Sequence, residues 1–107
     1  MNYNFITRIG LTTQIKTTQA HPDGHHDDPW FEIRQGKLFA TRNNPEYYNE
    51  FPLYEIIGDK IHPTSNHVAG FQIMPWFEIH GNMIFTTPYH PQGKQDEPWF
   101  EIVFKKQ

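Results

Sequence analysis

Imidazole, indole and carboxylate side chains recur along this chain at a fixed spacing of 23 residues. Groups of these types can stack on a ring, hydrogen-bond a hydroxyl or hold a cation. His21, Asn44, His67 and His90 share one repeat position. Trp30, Trp76 and Trp99 share another, with Leu53 in the remaining copy. Glu32, Glu55, Glu78 and Glu101 share a third. Indoles beside carboxylates, imidazoles and an amide are what a polyhydroxy ligand requires: an apolar face to stack on and groups to hydrogen-bond. Each series also has a folding explanation. The Glu series can accept backbone N–H groups or pair with Lys and Arg of a neighbouring unit. The Trp series can pack between units. A His followed by Pro and, three residues on, by Gly fits a type I turn, whose backbone the imidazole can bind.

Other chemistry finds less support. The loop His21-Pro22-Asp23-Gly24-His25-His26-Asp27-Asp28 is dense in side chains that ligate metals. Its spacing matches no zinc motif, so no metal or other cofactor is expected. Carboxylate catalysis needs two groups in different environments. Repeat symmetry gives the Glu series similar ones. The one serine, Ser65, has no nucleophile-elbow context. There is no glycine-rich phosphate loop. An enzyme is not expected.

The elements that position these residues follow from the repeat. Pro29-Trp30-Phe31-Glu32-Ile33 returns as Pro52-Leu53-Tyr54-Glu55-Ile56, as Pro75-Trp76-Phe77-Glu78-Ile79 and as Pro98-Trp99-Phe100-Glu101-Ile102. Gln35-Gly36, Gly58-Asp59 and Gly81-Asn82 then supply the backbone freedom of a two-residue hairpin turn. Such a turn sets the register. Ile33 should face Leu38, Glu32 face Phe39, Phe31 face Ala40 and Trp30 face Thr41. Alternation then places Phe31, Ile33, Leu38 and Ala40 on a core face. It places Trp30, Glu32, Phe39 and Thr41 on an amphipathic outer face.

The ends complement each other. The fourth copy stops at Gln107 without a return strand, while Gln14-Ile15-Lys16-Thr17-Thr18 matches a return strand without its partner. Pairing of 98–104 with 14–18 would close the chain and remove two open edges. The expected fold is all-β, a single domain over 1–107 with strands in 11–18, 29–41, 52–64, 75–87 and 98–104. Its four hairpin repeats close into a pseudo-fourfold barrel or a small propeller-like pinwheel. An open solenoid is the alternative. Phe5 to Ile9 is left over as a cap, a ninth strand or an arm onto a neighbour. Loops at 19–28, 42–51, 65–74 and 88–97 join the hairpins and are long enough to bind something. The repetition is similar in kind to that of small lectins and propeller-like proteins, but no motif ties the chain to one of them.

Composition narrows the partners. With 16% aromatic residues, a few large rings must build the core. A formal charge of −3 argues against nucleic acid and anionic membrane, which select basic faces. No segment has the apolar length of a membrane helix. The absence of cysteine suits a reducing compartment, and a cytoplasmic location is expected. The function expected is a non-enzymatic, multivalent, lectin-like module that binds carbohydrate through repeated loop and Trp sites. The alternative is a structural or assembly subunit whose repeats serve folding, with the N-terminal segment joining copies into a homo-oligomer.

Overall fold

The computed structural model describes residues 11–47 and 49–106. Each repeat folds back on itself because its turn residues permit one tight path. Gln35 and Gly36 both adopt positive φ, 52° and 76°, which makes a type I′ turn. At the second turn Gly58 alone does, at 65°, the type II′ alternative. Both types match the right-handed twist of the strands they join.

Eight antiparallel strands result: β1 (Leu11–Thr17), β2 (Phe31–Arg34), β3 (Lys37–Ala40), β4 (Tyr54–Ile57), β5 (Lys60–Pro63), β6 (Phe77–His80), β7 (Met83–Thr86) and β8 (Phe100–Lys106). They close in sequence order into a barrel. The hairpin register is the expected one, with Phe31 opposite Ala40, Glu32 opposite Phe39 and Ile33 opposite Leu38. The terminal strands β1 and β8 pair along their length, with Ile15 opposite Ile102 and Thr17 opposite Phe100. The last unit is therefore a hairpin without a turn, assembled from the two ends of the described chain. Closure into a barrel sets aside the pinwheel and the open solenoid. The leftover segment Phe5 to Ile9 lies outside the described residues.

The strands are shorter than the repeat pattern suggests. Pro29, Pro52, Pro75 and Pro98 have no N–H to give a ladder, and the regular strands begin after them, at Phe31, Tyr54, Phe77 and Phe100. A clamp takes its place. The hydroxyls of Thr18, Thr41, Thr64 and Thr87 donate to the carbonyls of Pro98, Pro29, Pro52 and Pro75. The same oxygens accept the backbone N–H two residues on, as at Ala20 and Asn43, both 3.2 Å. One threonine per repeat thus ties the loop to the start of the neighbouring strand.

Two layers fill the barrel. Ile15, Leu38, Ile61 and Ile84 form an aliphatic layer, none more than 3% exposed. Phe31, Tyr54, Phe77 and Phe100 form the aromatic layer above it. Their rings meet edge to face in a closed cycle, with centroids 5.7 Å apart for Phe31–Tyr54, Tyr54–Phe77 and Phe77–Phe100 and 6.0 Å for Phe31–Phe100. Edge-to-face contact sets the positive rim of each ring against the negative face of the next. The space left among the eight side chains is about 20 Å³, too little for more than one water. Ile33, Ile56, Ile79 and Ile102 pack below them at the hairpin-turn end, where they are partly exposed.

One part of the two-face assignment fails. Phe31, Ile33 and Leu38 do face the core, but Trp30 and Trp99, placed by alternation on the outer wall, are each 7% exposed. Alternation holds only while the chain is pleated. Trp30 precedes the regular strand: its N–H and C=O still bond the Ile15 carbonyl and the Thr41 N–H, at 2.8 and 2.9 Å, but its indole folds over the end of the barrel.

Candidate functional site

The four long loops all leave the barrel at the end opposite the hairpin turns. Each makes two successive turns: His21 N–H bonds the Thr18 carbonyl at 3.2 Å, and Gly24 N–H bonds the His21 carbonyl at 2.8 Å. The same bonds recur at Thr64-His67-Gly70 and Thr87-His90-Gly93. In the second loop Asn44 takes the His position, and Tyr47 N–H bonds its carbonyl at 3.0 Å. The result turns His21, Asn44, His67 and His90 inward over the barrel axis.

There they interleave with the indoles. Following the ring round, centroids lie 5.0 Å apart for Trp30–His21, 5.3 Å for His21–Trp99, 5.2 Å for Trp99–His90, 5.3 Å for His90–Trp76 and 5.2 Å for Trp76–His67. All five contacts are edge to face. Leu53 and Asn44 complete the circle where the aromatic pattern is interrupted. Asn44 is 5% exposed and donates its amide to the Trp30 carbonyl at 3.1 Å. The structure therefore gathers the His/Asn and Trp series round one axis.

The imidazoles all take the same tautomer. The N–H groups of Asp23, Ala69 and Gln92 donate to Nδ1 of His21, His67 and His90, each at 3.0 Å. A neutral imidazole that accepts at Nδ1 carries its proton on Nε2. The Asn44 side-chain oxygen does the same work, accepting from Glu46 N–H at 2.9 Å. A metal bound at Nε2 would need the other tautomer, and the turn bond would be lost. Among the described residues no group of three His, Asp or Glu is placed to hold a metal, the His21–Asp28 loop included.

The three Nε2–H groups differ in what they meet. His67 Nε2 lies 3.1 Å from the Tyr54 hydroxyl. His21 and His90 sit over Phe100 and Phe77, which have no hydroxyl, at 5.0 and 5.1 Å. Their Nε2–H groups have no hydrogen-bond partner among the described residues. Above them opens a cup of about 390 Å³ whose rim includes Asp23, Glu46, Val68 and Gln92. No Lys or Arg lines it.

The Glu series is placed elsewhere. Glu32, Glu55, Glu78 and Glu101 stand on the outer wall, on four different strands, and do not converge. Glu78 bonds Lys60 at 3.0 Å and lies 3.1 Å from His80, and Glu32 is 3.8 Å from Arg34. These hydrogen bonds, first from His80 and then from Lys60, hold the Glu78 carboxyl below its ordinary range. Sequence reasoning considered Asp23 only as part of the metal-capable loop and missed Glu46, although their shared repeat position, two after the His, was a usable signal. It also missed the single Tyr in the Phe layer.

Burial lowers the pKa of His21, His67 and His90 below the ordinary 6.5. For His21 and His67 the nearby Asp23 and Glu46 partly oppose it. The unfolded chain therefore binds protons at these positions before the folded one does. Their contribution to stability is full above pH 6.5, falls as pH drops below it towards the folded values, and is constant below those. Protonation would also turn Nδ1 into a donor facing a donor. Denaturant midpoints should therefore fall measurably between pH 7 and pH 5. Replacing all three by Asn, the residue already present at position 44, should flatten that slope. A slope unchanged in the triple variant would assign it to other groups.

No protein-family model matches the chain, and neither a curated protein nor a solved structure matches it, so its function rests on this geometry.

Proposed function

We propose that the protein is a non-enzymatic, lectin-like binding module that seats one neutral polyhydroxy ligand in the axial cup. The observation that carries this is the lining: unpartnered imidazole N–H donors beside carboxylate acceptors, over an aromatic ring, with no cation present. Hydroxyl groups both donate and accept, so they can satisfy both kinds of group. Phosphate or sulfate would find no cation there and would be repelled by Asp23 and Glu46. The volume falls within the range of small-molecule sites. Trp76, less buried than Trp30 and Trp99, offers the ligand an apolar edge. Four loops converging on one axis make one site per chain, in place of four separate ones. The cysteine-free composition suits a reducing compartment, and the cytoplasm is the location we propose. Among the described residues no helix is long and apolar enough to cross a membrane.

The test begins with a broad glycan panel, followed by calorimetry on any hit. One ligand should bind per chain. His90→Asn keeps the turn bond, as Asn44 does, and removes one Nε2–H donor. It should weaken binding roughly three- to tenfold, the worth of one hydrogen bond. Glu46→Gln should weaken it comparably. An empty panel, or affinity indifferent to both substitutions, rejects the reading. The alternative of an assembly subunit is favoured by one observation, the exposed apolar side chains Phe51, Phe71 and Ile73.

A further inference from the structure

The four-fold repetition provides an internal control for every exposed position. Phe51, Ile57, Phe71 and Ile73 are 59%, 57%, 65% and 77% exposed. At the positions one or two repeats away the chain mostly has charged or titratable groups. Phe51 corresponds to Asp28, Met74 and Glu97, and Ile57 to Arg34, His80 and Val103. Phe71 corresponds to His25, Tyr48 and Lys94, and Ile73 to Asp27, Glu50 and Asp96. The hairpin and loop thus fold with a solvated group at each of these places. Folding does not explain why one flank is apolar.

We infer that this flank, formed by the end of the 42–51 loop, β4, β5 and the 65–74 loop, is where a second copy of the chain docks to form a two-fold symmetric dimer. It is separate from the axial cup and does not depend on the ligand reading. A two-fold interface must be complementary to itself, since the same patch serves both partners. This flank carries both halves of such a contact. Phe71 projects beside a groove of about 330 Å³ lined by Pro52, Ile57 and Phe71 itself. The ring of each copy can enter the groove of the other. The groove also holds one cation and one anion, Lys37 and Glu55, so each can meet its opposite across the axis.

The area agrees. Taking about 200 Å² for each Phe and somewhat less for each Ile and Met, the exposed parts of Phe51, Ile57, Phe71, Ile73 and Met74 sum to roughly 500 Å². A standard interface covers about 800 Å² on each partner, and in homodimers about two-thirds of it is apolar. That also comes to about 500 Å². A patch this size is at the upper end of what a soluble monomer leaves open.

Sedimentation velocity over a concentration series tests this, using substitutions the repeat itself supplies. Wild type should sediment as a dimer that dissociates on dilution. Phe71→Lys with Ile73→Asp, copying Lys94 and Asp96, should be monomeric, its dissociation constant raised at least about 30-fold, as for loss of an interface hot spot. Circular dichroism should show the same β signal in both. The wild-type melting temperature should rise with protein concentration, and that of the variant should not. Lys37→Glu should weaken the dimer, and adding Glu55→Lys should restore it. A wild type that stays monomeric at its highest soluble concentration overturns the inference. So does a dimer that survives the double substitution, including one that is lost only when residues 1–10 are removed.

Discussion

Deleting Trp99 to Gln107 should abolish cooperative folding. The deletion removes β8, which pairs with both β1 and β7 and closes the barrel. It also removes Trp99 and Phe100, each 7% exposed, from the indole ring and the aromatic layer. Truncating a buried Phe or Trp to Ala costs about 3–5 kcal/mol, so these two alone approach the 5–15 kcal/mol by which a typical domain is stable. Two open strand edges would remain on β1 and β7, and open edges recruit other chains. The truncated protein should give no sharp thermal transition and should sediment as unfolded chain or as aggregates. A folded monomer melting near the wild-type temperature would show that β1–β8 pairing is not what holds the molecule together.

Phe77→Ala should cost about 3–5 kcal/mol, the range for large rings in a core. Phe77 is 6% exposed and touches Tyr54, Phe100 and His90, with centroids 5.7, 5.7 and 5.1 Å away. Its loss opens the aromatic cycle and leaves His90 without the ring beneath it. Ile79, two residues on, points to the same interior but lies at the open end, where it is partly exposed. Its replacement by Ala should cost less, about 1–2 kcal/mol, as expected for a side chain only partly removed from water. Urea denaturation of both variants decides the matter. Equal losses would mean that the two ends of the barrel are equally well packed.

That comparison marks where sequence reasoning reached its limit in the core. Period-two alternation correctly put Phe77 and Ile79 on one face, because the pleat is a local property of the backbone. It could not say that one caps an interior layer while the other borders solvent. That difference depends on how far along the barrel axis each residue lies, which only closure defines. The Trp series shows the same limit more sharply. Trp30 and Glu32 are two residues apart, and alternation gave them one face. One is buried beneath the loops and the other lies on the outer wall beside Arg34. The start of the regular strand at Phe31, after Trp30, and the space over the barrel enclosed by four loops separate them.

The repeat, the hairpins with their turns and register, the all-β class, and the pairing of 98–104 with 14–18 were all legible in the sequence. These follow from spacing and from turn residues whose backbone preferences act over a few positions. The His turn was legible for the same reason, since His-Pro-x-Gly names its own hydrogen bonds. Tertiary structure alone decided which repeated residues meet. Three imidazoles, an amide and three indoles, spread over 79 positions from His21 to Trp99, converge on one axis because eight strands close. The four carboxylates at an equally regular spacing point away from it. Repetition assigns equivalent positions an equivalent radius and height, but it does not reveal whether that place lies on the axis or on the outer wall. That choice is made by burial: closure removes the indoles from water and leaves the carboxylates in contact with it.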